Sequence, residues 1–177
     1  MINEIKNIAK INLDKIIQIR RDLHKNPELS FKEYNTSKKI QEFLKTHEIP
    51  FTSGIVETGV IAKIEGNNPT LKEIVLRADM DALPIEEEND IDYCSINNGV
   101  MHACGHDVHS ASLLGSALIL NELKHKFSGT IKLIFQPGEE KIPGGAKLML
   151  EEGVFDKIPN SCIAQHVFPD LPAGKVG

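Results

Sequence analysis

Two short apolar runs, "EIVLRAD" (73–79) and "GTIKLIFQ" (129–136), flank the longest helical pattern of the chain, residues 107–126. Runs of this length between turn signals read as buried strands, and strands that alternate with helices pack as an α/β domain. "GVIAKIEG" (59–66), followed by the turn "GNNP", reads as another strand, and "SCIAQHVF" (161–168) as a fourth. Leu13, Ile16, Ile17 and Leu23 mark one face of a helix that Asn12 caps and Pro27 ends. Ile40, Phe43 and Leu44 point inward from a helix over Thr36 to His47. Leu113, Leu114, Ala117, Leu118 and Leu120 are the apolar positions of the long helix, and "GGAKLMLEEG" (144–153) is a short one closed by Gly153. The expected fold is an α/β domain in three layers, with a mixed, largely parallel sheet flanked by helices. The strands at 59–66 and 73–79 are near enough to form a hairpin, which is what makes the sheet mixed.

At 177 residues and 41% apolar content the chain can bury an ordinary core. A net charge of −5, with Lys and Arg spread thinly, argues against a nucleic-acid footprint. The longest apolar stretch, Leu113 to Leu120, is broken by Gly115 and Ser116 and is too short to span a bilayer, so no membrane partner is expected. "MINEIKNIAKINLD" has no continuous apolar core and does not read as a signal peptide. Cys94, Cys104 and Cys162 are odd in number and irregular in spacing, which favours a reducing, cytoplasmic location over a disulfide framework.

Polar clusters fall just past the ends of the expected strands. Asp79 and Asp81 follow the second, Glu139 and Glu140 the third, and His166 lies near the end of the fourth. Ligands of open α/β sheets bind outside the carboxyl ends of the strands. Parallel strands would therefore gather these groups on one rim beneath "MHACGHDVHSA" (101–111). Cys104 and His106 are two apart, so in an extended loop both point the same way. Thiolate and imidazole suit Zn(II), and carboxylates suit Mn(II). Adjacent Glu139 and Glu140 permit one to bind metal while the other holds a proton. Each element also has a plainer explanation. A lone Glu-Glu pair is usually a solvated surface, and Cys104 alone could be a buried apolar thiol. His102 and His109 read as hydrogen-bonded loop and helix-start residues, and His24, His47 and His125 as surface or capping residues. A Cys104/His106 nucleophile–base pair is poorly placed along the chain, and the paired spacing of a closed structural zinc site is absent.

Six blocks, "RRDLHKNPELSFKE" (20–33), "LRADMDALPIEE" (76–87), "MHACGHDVHSA" (101–111), "LIFQPGEE" (133–140), "GGAKLMLEEGVFD" (144–156) and "AQHVFPDLPAGKVG" (164–177), occur in this order. Together they resemble the N-terminal part of the metal-dependent amidohydrolases related to hippurate hydrolase, N-acyl-amino-acid amidohydrolases and auxin-conjugate hydrolases, a family that includes N-acetyldiaminopimelate deacetylase. The resemblance implies that Cys104, His106, Glu140 and His166 are ligands to two divalent ions, manganese or zinc, with nickel or cobalt as alternatives. It implies that Glu139 is the general acid/base, and that Asp79 and Asp81, grouped with His109, support the ligands without binding metal. Gly138 stands where alanine is common, at a position expected to need only a tight turn. Family members continue into a lid and dimerisation domain, through which they form homodimers. They then return to supply a last metal-binding histidine. Residues 1–177 are thus expected to form the N-terminal part of the dimetal catalytic domain, incomplete relative to the family. The implied reaction is hydrolysis of the amide of a small N-acyl amino acid. The alternative is a catalytically inactive homologue that acts as a binding or interaction fragment.

Overall fold

The computed structural model describes all 177 residues. In chain order its elements are α1 (Ile2–Lys25), α2 (Tyr34–Thr46), β1 (Phe51–Ile55), β2 (Gly59–Glu65), β3 (Glu73–Asp79), α3 (His106–Glu122), β4 (Thr130–Gln136), α4 (Gly145–Glu151) and β5 (Ser161–Ala164). A short 3-10 turn, Lys124–Lys126, joins α3 to β4. The strands form one mixed sheet in the order β1-β2-β4-β3-β5. The β1–β2 and β2–β4 pairs are antiparallel, and β4–β3 and β3–β5 are parallel.

The sheet is mixed, but β2 and β3 do not form a hairpin. β4 lies between them, with Glu65 and Glu73 both opposite Thr130. Residues 66–72 instead pass around the start of β4. Straddling one strand means crossing two interstrand spacings of ~4.8 Å, well within reach of an extended segment at ~3.3 Å per residue. Hydrogen bonds hold this path, from Gly66 N to Gly129 O (2.9 Å), Asn67 N to Phe127 O (2.8 Å) and Thr130 N to Lys72 O (2.8 Å). Strand β1 was not foreseen, because "FTSGI" is largely exposed and carries no apolar run.

Alternation along the strands divides the core in two. Val60, Ala62 and Ile64 of β2 and Leu133 and Phe135 of β4 join Ile40 and Leu44 of α2 and Leu113, Leu114 and Ala117 of α3. On the other face Val75 and Ile134 meet Met149 of α4 and Val56. Helix α3 packs between the sheet and α1, with Gly115 letting Ile16 approach to 3.4 Å of where its Cβ would lie. Helix α1 begins ten residues before Asn12, which lies inside it and donates from its side chain to Ile8 O at 2.9 Å. Its inward residues are Ile8, Ile19 and Leu23, while Leu13 and Ile17 are exposed. The expected face was therefore partly wrong, since α1 rests on another helix along a narrow seam.

His24, expected at the surface, is buried at 4% exposure. Its Nδ1 lies 2.8 Å from Asp107 Oδ2 and its Nε2 3.0 Å from Glu87 Oε1, and Arg20 Nε reaches the same Asp107 oxygen at 2.8 Å. This network ties α1 and the 84–101 loop to the first turn of α3. The bond to Asp107 raises the pKa of His24, burial opposes it, and Glu87 adds to the rise. A raised histidine stabilises the fold below its unfolded pKa of ~6.5, and that contribution is lost as pH climbs through the folded value. Urea midpoints should fall as pH is raised above neutrality, and His24→Gln should flatten that slope. At pH 6, His24→Ala should cost about 3 kcal/mol, because it leaves buried carboxylates without their partner.

Candidate metal centre

Parallel pairing sets Asp79 opposite Gln136, so β3 and β4 end side by side. From these ends Asp81 and the turn Pro137–Glu140 leave the sheet together. β5 stops at Ala164, which leaves His166 in the following loop and not within a strand as its sequence suggested. The same rim receives the first residue of α3, His106, after the left-handed Gly105 at φ 85°. Cys104 and His106 are thus neighbours across a helix start and not along an extended loop. A side chain at Gly105 would place its Cβ 2.3 Å from Val167 Cγ2, so glycine is what allows the 166–167 segment to close over this loop.

Donor atoms of Cys104, His106 and His166 lie within 4.8 Å of one another, as do those of His106, Glu139 and Glu140, and those of Asp79, His106 and His109. His106 belongs to all three groups. Its Nδ1 faces only acceptors, Asp81 O at 2.9 Å and Asp81 Oδ1 at 3.2 Å, so this nitrogen carries the proton. Its Nε2 is buried without a hydrogen-bond partner. Around that atom stand Asp79 Oδ1 and Glu140 Oε1 at 3.7 Å and Glu139 Oε2 at 4.0 Å. His166 repeats the pattern, with Nδ1 2.6 Å from Val167 O and Nε2 facing Cys104 Sγ at 3.4 Å.

This donor set fits a divalent cation. Burial disfavours a charged His106, yet Asp81, Asp79 and Glu140 together raise its pKa, so the surroundings favour positive charge at this point. Burial and the neighbouring Glu140 push the Cys104 thiol up to about 12. A thiolate there needs a cation beside it.

The remaining groups are already engaged. Val167 N donates to His109 Nε2 at 3.0 Å, so His109 Nδ1 donates to Asp79 Oδ1 at 2.7 Å and neither nitrogen is free. Asp79 Oδ2 pairs with Arg77 Nη1 at 2.8 Å. Asp81 Oδ2 accepts from Ser30 Oγ at 2.6 Å and from Glu140 N at 2.9 Å. Burial would raise the pKa of Asp81, but the bonds from His106, Ser30 and the turn amides outweigh it and hold it at about 2. His102 departs from expectation, for it is buried with both ring nitrogens unpaired, and burial lowers its pKa to about 4. Gly138 is more constrained than a generic turn, with φ 56° and a hypothetical Cβ 2.3 Å from the Phe31 ring, which must move aside for alanine. Sequence reasoning missed Ser30 and Glu33, whose one signal was their place in the "NPELSFKE" block.

Residues 75–177 match the sequence model described as peptidase family M20/M25/M40. Thermostable carboxypeptidase 2 of Saccharolobus solfataricus is 48% identical over 176 residues, covering 98% of this chain and 44% of that protein. An N-acyl-L-amino acid amidohydrolase of Geobacillus stearothermophilus is 42% identical over 174 residues, covering 98% and 46%. Among solved structures, a Bacillus subtilis protein described as a dinuclear metal binding peptidase from the M20 family superposes with a TM-score of 0.87 at 44% identity, covering 92% of this chain and 45% of that one. The chain therefore spans less than half the length of each of these three relatives.

Two measurements test the donor set. After dialysis against Mn(II) or Zn(II), elemental analysis should find bound metal in the wild type and little in His106→Ala; equal content would rule out His106 as the hub. In metal-free protein at pH 8, iodoacetamide should modify exposed Cys162 far faster than Cys104, since the thiolate is the reacting form.

Proposed function

Because the chain belongs to peptidase family M20/M25/M40, we propose that it carries the metal-binding and proton-transfer residues of a hydrolase that cleaves the amide of small N-acyl amino acids. The observation that carries this reading is the buried, unpartnered Nε2 of His106 facing three carboxylates. Cys104, His106, Glu140 and His166 would hold two divalent ions, manganese or zinc, with nickel or cobalt able to fill the same mixed donor set. The two-metal count follows the dinuclear relative, and the substrate class follows the related amidohydrolase.

The two glutamates differ in ways that divide their roles. Glu140 is anchored by its main-chain bond to Asp81, lies against the Cys104 thiol, and its side chain is 23% exposed. Glu139 is 41% exposed and its carboxylate stands slightly further from His106 Nε2. Glu140 therefore serves as ligand, and Glu139 as the group that reaches water and substrate. When bound, divalent ions lower the pKa of a coordinated water towards ~7 and polarise the amide carbonyl. The Glu139 carboxylate accepts the proton of the attacking water and delivers it to the departing amine nitrogen. Asp81 keeps the proton of His106 on Nδ1, which leaves Nε2 as an electron-pair donor. Asp79, fixed by Arg77 and His109, contributes negative charge beside that nitrogen without using a free oxygen.

In the context of a full-length family member, these residues loaded with Mn(II) or Zn(II) should release free amino acids from a mixture of N-acetyl and N-benzoyl amino acids. Glu139→Gln should lower turnover by about 10²–10⁴-fold with metal content unchanged, whereas Glu140→Gln should lose metal as well. Wild-type turnover in Glu139→Gln would move the acid–base role to another residue. Full metal loading without hydrolysis would mark the chain as a binding protein.

A further inference from the structure

The turn that carries Glu139 and Glu140 is gripped at two points by carboxylates from elsewhere in the chain. Asp81 takes the amide of Glu140. At the other end Gly138 N donates to Glu33 Oε1 at 2.8 Å, and no metal, proton transfer or ligand role described above uses Glu33. Glu33 is 0% exposed, an unusual place for a carboxylate. Its Oε1 also accepts from Phe31 N at 2.9 Å, and its Oε2 accepts from Thr58 Oγ1 at 2.7 Å. Every neighbour named here is a donor, and one of them belongs to the turn two residues before Glu140.

The mounting of Glu33 is rigid. It caps α2, with Ser37 N bonded to its carbonyl at 2.8 Å, and α2 is anchored by Ile40 and Leu44, both at 0% exposure. The loop before it supplies Ser30, which bonds Asp81, so the "NPELSFKE" segment braces both ends of the turn. Phe31, held in the left-handed region at φ 63° by its own bond to Glu33, lays its ring against Gly138. Resting on the amidohydrolase reading above, we propose that Glu33 is a positioning residue: by accepting the Gly138 amide it sets the turn so that Glu139 and Glu140 face His106.

Two substitutions separate reach from charge. Glu33→Gln keeps an oxygen at the same distance for Gly138 N and can donate to Thr58 Oγ1, while removing the charge. Glu33→Asp keeps the charge but is one methylene too short to reach Gly138. With folding checked by thermal melts, Mn(II) affinity is measured by calorimetry, and kcat and KM are measured at saturating Mn(II) on an N-acetyl amino acid. Glu33→Gln should match the wild type in affinity and kcat. Glu33→Asp should weaken Mn(II) binding and lower kcat, each by about 10–100-fold as expected for lost support around a metal site, with KM nearly unchanged. If Glu33→Asp lowers only the melting temperature, or if Glu33→Gln is as impaired as Glu33→Asp, the proposal is overturned. If the wild type binds Mn(II) without hydrolysing amides, the amidohydrolase reading fails, while weaker Mn(II) binding by Glu33→Asp would still support the positioning role.

Discussion

A carboxylate removed from water must be met by donors on every side, and Asp81 imposes that requirement on three distant parts of the chain. At 1% exposure it takes its bonds from Ser30 in the loop before α2, from His106 at the start of α3, and from the amide of Glu140. With its pKa held at about 2 it is ionised at neutral pH, so each donor there meets a full negative charge. Charge-assisted bonds of this kind are stronger than neutral ones, and losing one leaves an exposed deficit in a low-dielectric interior. The rim is therefore organised by its own buried anions, with Asp79 performing the same service for His109 and Arg77.

The topology explains why the candidate ligands lie where they do. Only β3, β4 and β5 run parallel, and all three deliver candidate ligands or their supporting residues at or just past their carboxyl ends. β2 runs antiparallel beside β4 and gives nothing to the rim, yet its Val60, Ala62 and Ile64 fill the core beneath it. Helix α3 is held at its first turn by the Arg20–His24–Asp107–Glu87 network, one residue beyond His106. Because these anchors come from α1 and the 84–101 loop independently, and Asp81 holds the ring from its other side, the imidazole has little freedom to turn. A site that must hold cations between several ligands depends on that kind of prior order.

Much of the fold was legible because buried strands and helices leave different periods. "EIVLRAD" and "GTIKLIFQ" announce themselves as apolar runs, and α3 as a long apolar helix. The edges were less legible. β1 has an exposed, polar sequence, and β5 is shorter than its apolar run, since an edge strand takes its conformation from the neighbour it pairs with. The false hairpin between β2 and β3 arose because proximity in sequence does not exclude a third strand arriving later in the chain.

The residue types at the site, a cysteine, histidines and paired glutamates placed after strands, were present in the sequence, as was the family resemblance they carry. Chemistry of this sort is local: softness, charge and spacing belong to the residues themselves. What only the tertiary structure decided was which nitrogen, oxygen or sulfur of each was left free. His109 and His106 look alike on one helix, yet an amide from Val167 occupies one and no partner reaches Nε2 of the other. Glu33 and Ser30 likewise acquired their places only when a loop far upstream folded against the turn. Hydrogen-bond saturation is a property of neighbours in space, and a period along the chain does not encode it.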